Sequence, residues 1–371
     1  MCFEESCLRY DERVAYALRT LYAGFGYSRF KMGKFEEYEL YVQNKDFLSG
    51  ERMITFTDGD GTLLALKPDV TISILKNTQE GDKGLRKVYY HENVYRTGRG
   101  EAHFREIMQT GLECIGPLDD YQVFEVITLA LQSLSLISEE YMLDLSHMGL
   151  ISGLMEQAGV AASDYETVLA AVREKNPTAL SEFCRDSGLP EEGCRLLRVL
   201  VDTYGSMEPV LDRLEPLCTA TQSRAAIHEL RVMERLLTAA GLSARVQLDF
   251  SVVNDMGYYN GIVFQGFING LCDRVLSGGR YDRLAEKMGK RLGAIGFALS
   301  LNELERLSSP SQEYDVDVLL LYDEETKLAE LSETVLRLRA EGKKLLVQCD
   351  RPERLYPREV MDLRGLGERS K

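Results

Sequence analysis

Four short segments carry side chains whose types and spacing could grip a small polar ligand. They are Lys67-Pro68-Asp69-Val70-Thr71, Gln109 to Glu113, Tyr258-Tyr259, and Ser277-Gly278-Gly279-Arg280-Tyr281-Asp282. Together they offer carboxylates, hydroxyls, an amide and phenols. That inventory suits a zwitterion with an ammonium and a polar ring: carboxylates pair the ammonium and ring N–H groups, and tyrosines wall the ring. The stretch DFSVVNDMGYYNGIVFQGF (249–267) has no Cys, His, Lys or Arg, so this wall recognises and does not react. Each segment also has a plain structural role. Asp69 in a first helical turn is stabilised by the helix dipole. Glu113 can pair with a neighbouring arginine, a Tyr-Tyr pair in a strand gives one core and one surface residue, and G-G-R-Y-D makes a turn with an Arg–Asp pair. Their order along the chain is the specific signal.

Elements must bring these segments together. In LRYDERVAYALRTLYAGFGY, Val14, Leu18, Leu21 and Phe25 fall at helical spacing, and Gly24 and Gly26 stop the helix. SRFKMGKFEEYELYVQN begins as a strand. MITFTDGDGTLLALKPD predicts a hairpin around Asp58-Gly59-Asp60-Gly61, and Pro68 stands where a helix can begin. Residues 87–117 predict two strands joined by a loop from Thr97 to Arg105, with Gln109, Gly111 and Glu113 on one face by the period-two rule. YQVFEVITLALQSLSL predicts a helix and YMLDLSHM a strand. Residues 150–240 are helix-rich, with an inserted helical subdomain placed at about 150–222. AIGFALSLNELERL predicts a strand running into a helix. SSPSQE reads as a linker; DVDVLLLY, KLAELSETVLRLRAEG and KKLLVQCD predict one β-α-β piece, and the polar tail beyond reads as frayed.

This order predicts an α+β fold, a mainly antiparallel sheet flanked by helices. The expected organisation is a core over 1–307, a linker over 308–314 and a truncated α/β unit over 315–371. The 371 residues carry a net charge of −15, which counts against nucleic-acid binding, where a basic face neutralises phosphates. No apolar run approaches the roughly 20 residues of a membrane span. The start, MCFEESCLRYDER, lacks a signal-peptide layout, so a cytoplasmic protein without membrane contact is expected. Eight cysteines form no C-x-x-C pair, and there are four histidines; reduced core thiols and no metal or cofactor are expected.

The order of the four segments resembles the class II aminoacyl-tRNA synthetase core and, within it, the histidyl-tRNA synthetase branch. Leu66-Lys67-Pro68-Asp69-Val70-Thr71 stands for L-R-P-E-x-T, and Arg105 to Glu113 for R-x-F-H-Q-x-G-x-E. Asn254 to Phe264 stands for R-G-L-D-Y-Y-T-G-x-V-F, G-G-R-Y-D is identical, and Gly296 to Leu304 aligns with G-F-A-x-G-x-E-R-L. The resemblance covers about residues 8–307. It implies ammonium contacts at Asp69, Thr71 and Gln109. It further implies imidazole contacts at Glu113 and Tyr259, with Tyr258 and Tyr281 completing the inherited pocket.

The departures fall on the nucleotide side. Activating an amino acid with ATP needs preorganised arginines at the α-phosphate. The family's arginine positions are Asn254 and Glu303 here; Arg96 is kept as a residual phosphate or carboxylate contact, but its glutamate companion is Gly98, and a dimer-motif proline is Gly33. From Glu313 onward acidic residues outnumber basic ones, unlike a tRNA-binding domain. The whole pattern resembles the regulatory-subunit family of ATP phosphoribosyltransferase, catalytically inactive relatives of histidyl-tRNA synthetases. That resemblance implies a non-catalytic chain that dimerises and joins a short-form catalytic subunit in a hetero-octamer. It also implies support for that subunit's activity and feedback inhibition by L-histidine. A divergent histidine–tRNA ligase and a histidine or uncharged-tRNA sensor are the alternatives.

Overall fold

The structure is a computed structural model that describes residues 8–45, 48, 52–78, 84–97, 103–253, 259–302, 304–307 and 314–365. The chain divides into two compact units, 1–307 and 308–371. The first unit opens with α1 (Tyr10–Gly24), β1 (Ser28–Arg29), β2 (Phe35–Glu37), α2 (Tyr38–Gln43) and the hairpin β3 (Thr55–Thr57) and β4 (Leu63–Leu66). Then come α3 (Thr71–Lys76), the long pair β5 (Arg86–Thr97) and β6 (Phe104–Gly116), α4 (Asp120–Ser135) and β7 (Tyr141–His147). A helical stretch follows: α5 (Met148–Gln157), α6 (Tyr165–Arg173), α7 (Pro177–Ser187), α8 (Glu191–Asp202), the short β8 (Tyr204–Ser206), α9 (Met207–Leu214) and α10 (Thr221–Ala239). The unit closes with β9 (Val246–Asp249), β10 (Ile262–Ile268), β11 (Leu276–Arg280), α11 (Asp282–Lys287) and β12 (Gly293–Ser300).

Nine strands form one sheet in the order β1-β5-β6-β12-β11-β10-β7-β9-β8. Its pairs are antiparallel except β1 with β5 and β7 with β9. Alternation along the strands sends side chains to two cores. Tyr89, Leu112 and Cys114 join α1, α4 and the helices of 148–239 in one cluster. Val88, Tyr90 and Ile115 face the other way, toward α3 and α11. The helical stretch is thus a layer on the main core: α10 packs on α4 and α5. α4 starts at a capping box, with Asp119 accepting the Tyr121 N–H at 2.8 Å and Gln122 accepting the Asp119 N–H at 2.9 Å. A separate antiparallel sheet has the order β2-β4-β3. Among the described residues no helix is long and apolar enough to cross a membrane.

The second unit holds β13 (Val316–Leu321), α12 (Leu328–Ala340), β14 (Leu345–Gln348) and β15 (Pro357–Asp362), a parallel sheet in the order β14-β13-β15. β15 corrects the expectation of a frayed tail. Its main chain satisfies the free edge of β13, and Met361 and Leu363 pack beside Val318 and Leu320 under α12. A second correction concerns NELERL, which is a single 3-10 turn over Leu304–Leu307 and not a longer helix. Pro310 and its serine neighbours leave little sequence for helix beyond it.

Candidate ligand-binding site

Glu113 stands on β6, the third strand of the main sheet, opposite Val88 of β5 and Gly296 of β12. Its side chain, only 2% exposed, rises on the α3 side, and Gln109 is buried on the same face two strand repeats away. α3 brings the second set of groups. Asp69 precedes it and accepts the Ile72 N–H at 2.9 Å, and Thr71 opens it and donates its hydroxyl to Glu113 Oε1 at 2.7 Å. The far end of α3 is fastened by cations: the Lys290 ammonium donates to the carbonyls of Leu75, Lys76 and Thr78, and Arg86 donates to that of Asn77. Positive charge on the last carbonyls of a helix is the favourable arrangement.

Tyr281, between β11 and α11, closes on Glu113 from the opposite side and donates its hydroxyl to Oε2. Tyr259, half-buried, packs against both cores. Two glycines clear the floor. A β-carbon at Gly296 would overlap the Glu113 carboxylate, and one at Gly111 would press on the Tyr90 hydroxyl and the Phe297 carbonyl. Tyr90 is therefore a site residue that sequence reasoning missed; its signal is the cross-strand pairing with Gly111.

The site is electrostatically hungry for a cation. Burial pushes the Glu113 carboxyl up to about 8, although Tyr281 and Thr71 donate to it, and the nearby Asp69 adds to the rise. Burial likewise lifts Asp69 to about 6, against the opposing pull of the Ile72 N–H and the Arg96 charge. Burial, and then the two carboxylates, push the phenols of Tyr259 and Tyr90 upward, so both stay protonated donors at neutral pH. Two carboxylates ringed by hydroxyl donors form a receptor for an ammonium or a ring N–H.

Asp69, Thr71, Gln109, Glu113, Tyr259 and Tyr281 thus share one face of the sheet, with Arg96 on β5 near enough for its charge to act on Asp69. Tyr258 lies outside the described residues, as do Gly98, Asn254 and Glu303. Two open clefts of about 760 and 790 Å³ lie on the helical layer, one beside His228 and Arg231 and the other beside Cys184 and Cys194; neither lining includes a residue of this cluster.

Among curated proteins, the chain is 28% identical over 353 residues to the ATP phosphoribosyltransferase regulatory subunit of a Bacillus cereus strain, covering 92% of this chain and 83% of that one. Among solved structures it resembles an ATP phosphoribosyltransferase regulatory subunit/histidyl-tRNA synthetase from Bacillus halodurans C, with a TM-score of 0.77 at 23% identity, covering 96% of this chain and 94% of that one. It also resembles a chain of the ATP phosphoribosyl transferase (HisG:HisZ) complex from Thermotoga maritima, with a TM-score of 0.62 at 17% identity over 81% of this chain and 98% of that one. The two structural likenesses carry the fold. The profile of the family described as Histidyl-tRNA synthetase matches residues 4–304, and the chain belongs to that family.

Proposed function

We propose that the chain is the non-catalytic regulatory subunit of ATP phosphoribosyltransferase, the enzyme that opens histidine biosynthesis, and that the Glu113 cluster holds L-histidine. The observation that carries this reading is a split in the inherited machinery. On the amino-acid side, Glu113 is buried between Thr71 and Tyr281, which both donate to it. On the nucleotide side, asparagine and glutamate stand at residues 254 and 303, where the family's arginines are expected. Losing one preorganised contact to a developing anion costs roughly a hundred- to a thousandfold in rate, and Glu303 adds a repulsive charge. The curated relative carries the regulatory-subunit name across most of both chains.

In this reading the histidine ammonium pairs with Asp69, beside Thr71 and Gln109. The imidazole N–H meets Glu113, and Tyr259 and Tyr281 wall the ring. The chain works as a homodimer in the cytoplasm with a short-form catalytic subunit. Histidine inhibits by favouring the less active state of that assembly; a coupling of about 1–3 kcal/mol gives a roughly 5- to 150-fold effect.

The test combines the purified chain with a short-form catalytic subunit and follows turnover of ATP and phosphoribosyl pyrophosphate. Turnover should need this chain and fall on adding histidine. Histidine-dependent exchange of pyrophosphate into ATP by the chain alone should be absent; its presence would establish a ligase instead.

A further inference from the structure

Behind the two tyrosine walls, five polar side chains form one continuous chain of contacts. His147, the last residue of β7, is 3% exposed. Its Nδ1 accepts the Leu150 N–H at 3.2 Å, which places the ring proton on Nε2, and Nε2 donates to Glu229 Oε2 at 3.0 Å. The other oxygen of Glu229 lies 3.9 Å from Arg280 Nη1. Arg280 Nε donates to Asp282 Oδ2 at 2.8 Å, and Asp282 Oδ1 accepts the Ala294 N–H at 2.8 Å. Asn260 closes the chain. Its Nδ2 donates to Asp282 Oδ2 at 3.2 Å, its Oδ1 accepts the Asp282 N–H at 3.0 Å, and its own N–H donates to the Arg280 carbonyl at 3.2 Å.

The placement of these groups is what matters. Asn260 directly follows Tyr259, and Arg280 and Asp282 flank Tyr281, so both aromatic walls hang on this framework. Gly261 admits the Arg280 stem: a β-carbon there would lie 3.0 Å from its Cδ. Glu229 comes from elsewhere, from α10 in the helical layer. Burial would raise its carboxyl, but the hydrogen bond from His147 and the positive charge of Arg280 outweigh burial and hold it below the ordinary range. It is therefore an anion at neutral pH, hydrogen-bonded through one oxygen to His147 and facing Arg280 through the other in a longer 3.9 Å ion pair.

We propose that Glu229 is a positioning residue for the ligand pocket. By holding His147 and Arg280 together it sets where Tyr259 and Tyr281 stand, and so ties the helical layer to the pocket. The inference deepens the histidine reading and rests on it for the ligand used in the test. Glu229→Gln keeps an oxygen for the His147 N–H and removes the charge facing Arg280.

In the full chain, calorimetric titration should show L-histidine binding about five- to tenfold weaker in this variant, while Glu229→Asp recovers part of the loss. Without histidine, amide exchange at Asn260, Asp282 and Ala294 should quicken, with exchange in β5 and β6 unchanged. Wild-type affinity together with wild-type exchange at those amides would overturn the proposal. So would a uniform rise in exchange with an early thermal transition, which marks a merely structural residue. If the wild-type chain itself fails to bind histidine, the histidine reading falls, and the exchange comparison alone decides the positioning role.

Discussion

Thr71 and Glu113, 42 residues apart in sequence, are joined by a 2.7 Å hydrogen bond from hydroxyl to carboxylate. It connects the start of α3, which brings Asp69, to the strand that brings Gln109. Under the proposed histidine reading, this joins the ammonium side and the ring side of the pocket into one unit. Thr71→Val removes the donor at nearly constant volume and leaves Glu113 to Tyr281. An ordinary intramolecular hydrogen bond is worth roughly 0.5–1.5 kcal/mol, so L-histidine affinity should fall about two- to tenfold. Calorimetry on the folded variant measures this; unchanged affinity would remove Thr71 from the site.

The raised pKa of Glu113 also sets a pH dependence of stability. Its folded value of about 8 stands above its ordinary 4.5, so the fold favours the protonated form. That contribution is complete below the unfolded value and is lost as pH rises through the folded one; Asp69 adds a similar loss through about 6. The combined change is on the order of a few kcal/mol. With no histidine added, the melting temperature should decline as pH is raised through this window. Glu113→Gln should flatten the upper part of the decline. At the alkaline end histidine should raise the melting temperature of the wild-type chain, because its ammonium stabilises the ionised carboxylates. A Glu113→Gln profile that matches wild type would show the slope arises elsewhere.

Gly296 lies opposite Glu113 on β12, and its lack of a side chain is what lets the carboxylate rise from the sheet. A β-carbon there would also strike the Leu112 carbonyl, which is backbone and cannot swing away. Gly296→Ala should destabilise the chain by about 1–3 kcal/mol in chemical denaturation and remove histidine binding. Gly24→Ala is the control, since a β-carbon at that position meets nothing within 4 Å. Equal effects from the two substitutions would refute the steric account.

Local periodicity reveals part of this site and not the rest. Alternation across 109–113 puts Gln109, Gly111 and Glu113 on one face, and Pro68 with Asp69 marks the start of α3, because both signals are carried by adjacent residues. Tyr90 stayed hidden because its place depends on cross-strand register with Gly111, which no local pattern encodes. The contact of Arg280 with Glu229 was equally invisible, since it needs α10 to lie against the core beside β7. β15 was missed because only alternate residues of PREVMDL face the cluster under α12, which reads as a polar tail until its neighbour β13 is in place.

The homodimer reading has a surface to account for. On the small sheet β2-β4-β3, Phe35 and Phe56 are 50% and 39% exposed, and their rings meet edge to face with centroids 5.4 Å apart. Clustered exposed aromatics of this kind mark association surfaces, and a second copy of the chain would bury them. Phe56→Glu places a charge in that patch, where desolvation without a partner is costly. Sedimentation should then show a shift from dimer to monomer, with the circular dichroism of the folded chain retained. The Thr71–Glu113 bond and its neighbours lie within one chain, so the monomeric variant should still bind histidine while supporting the catalytic subunit less well. A variant that remains dimeric would move the interface to another face.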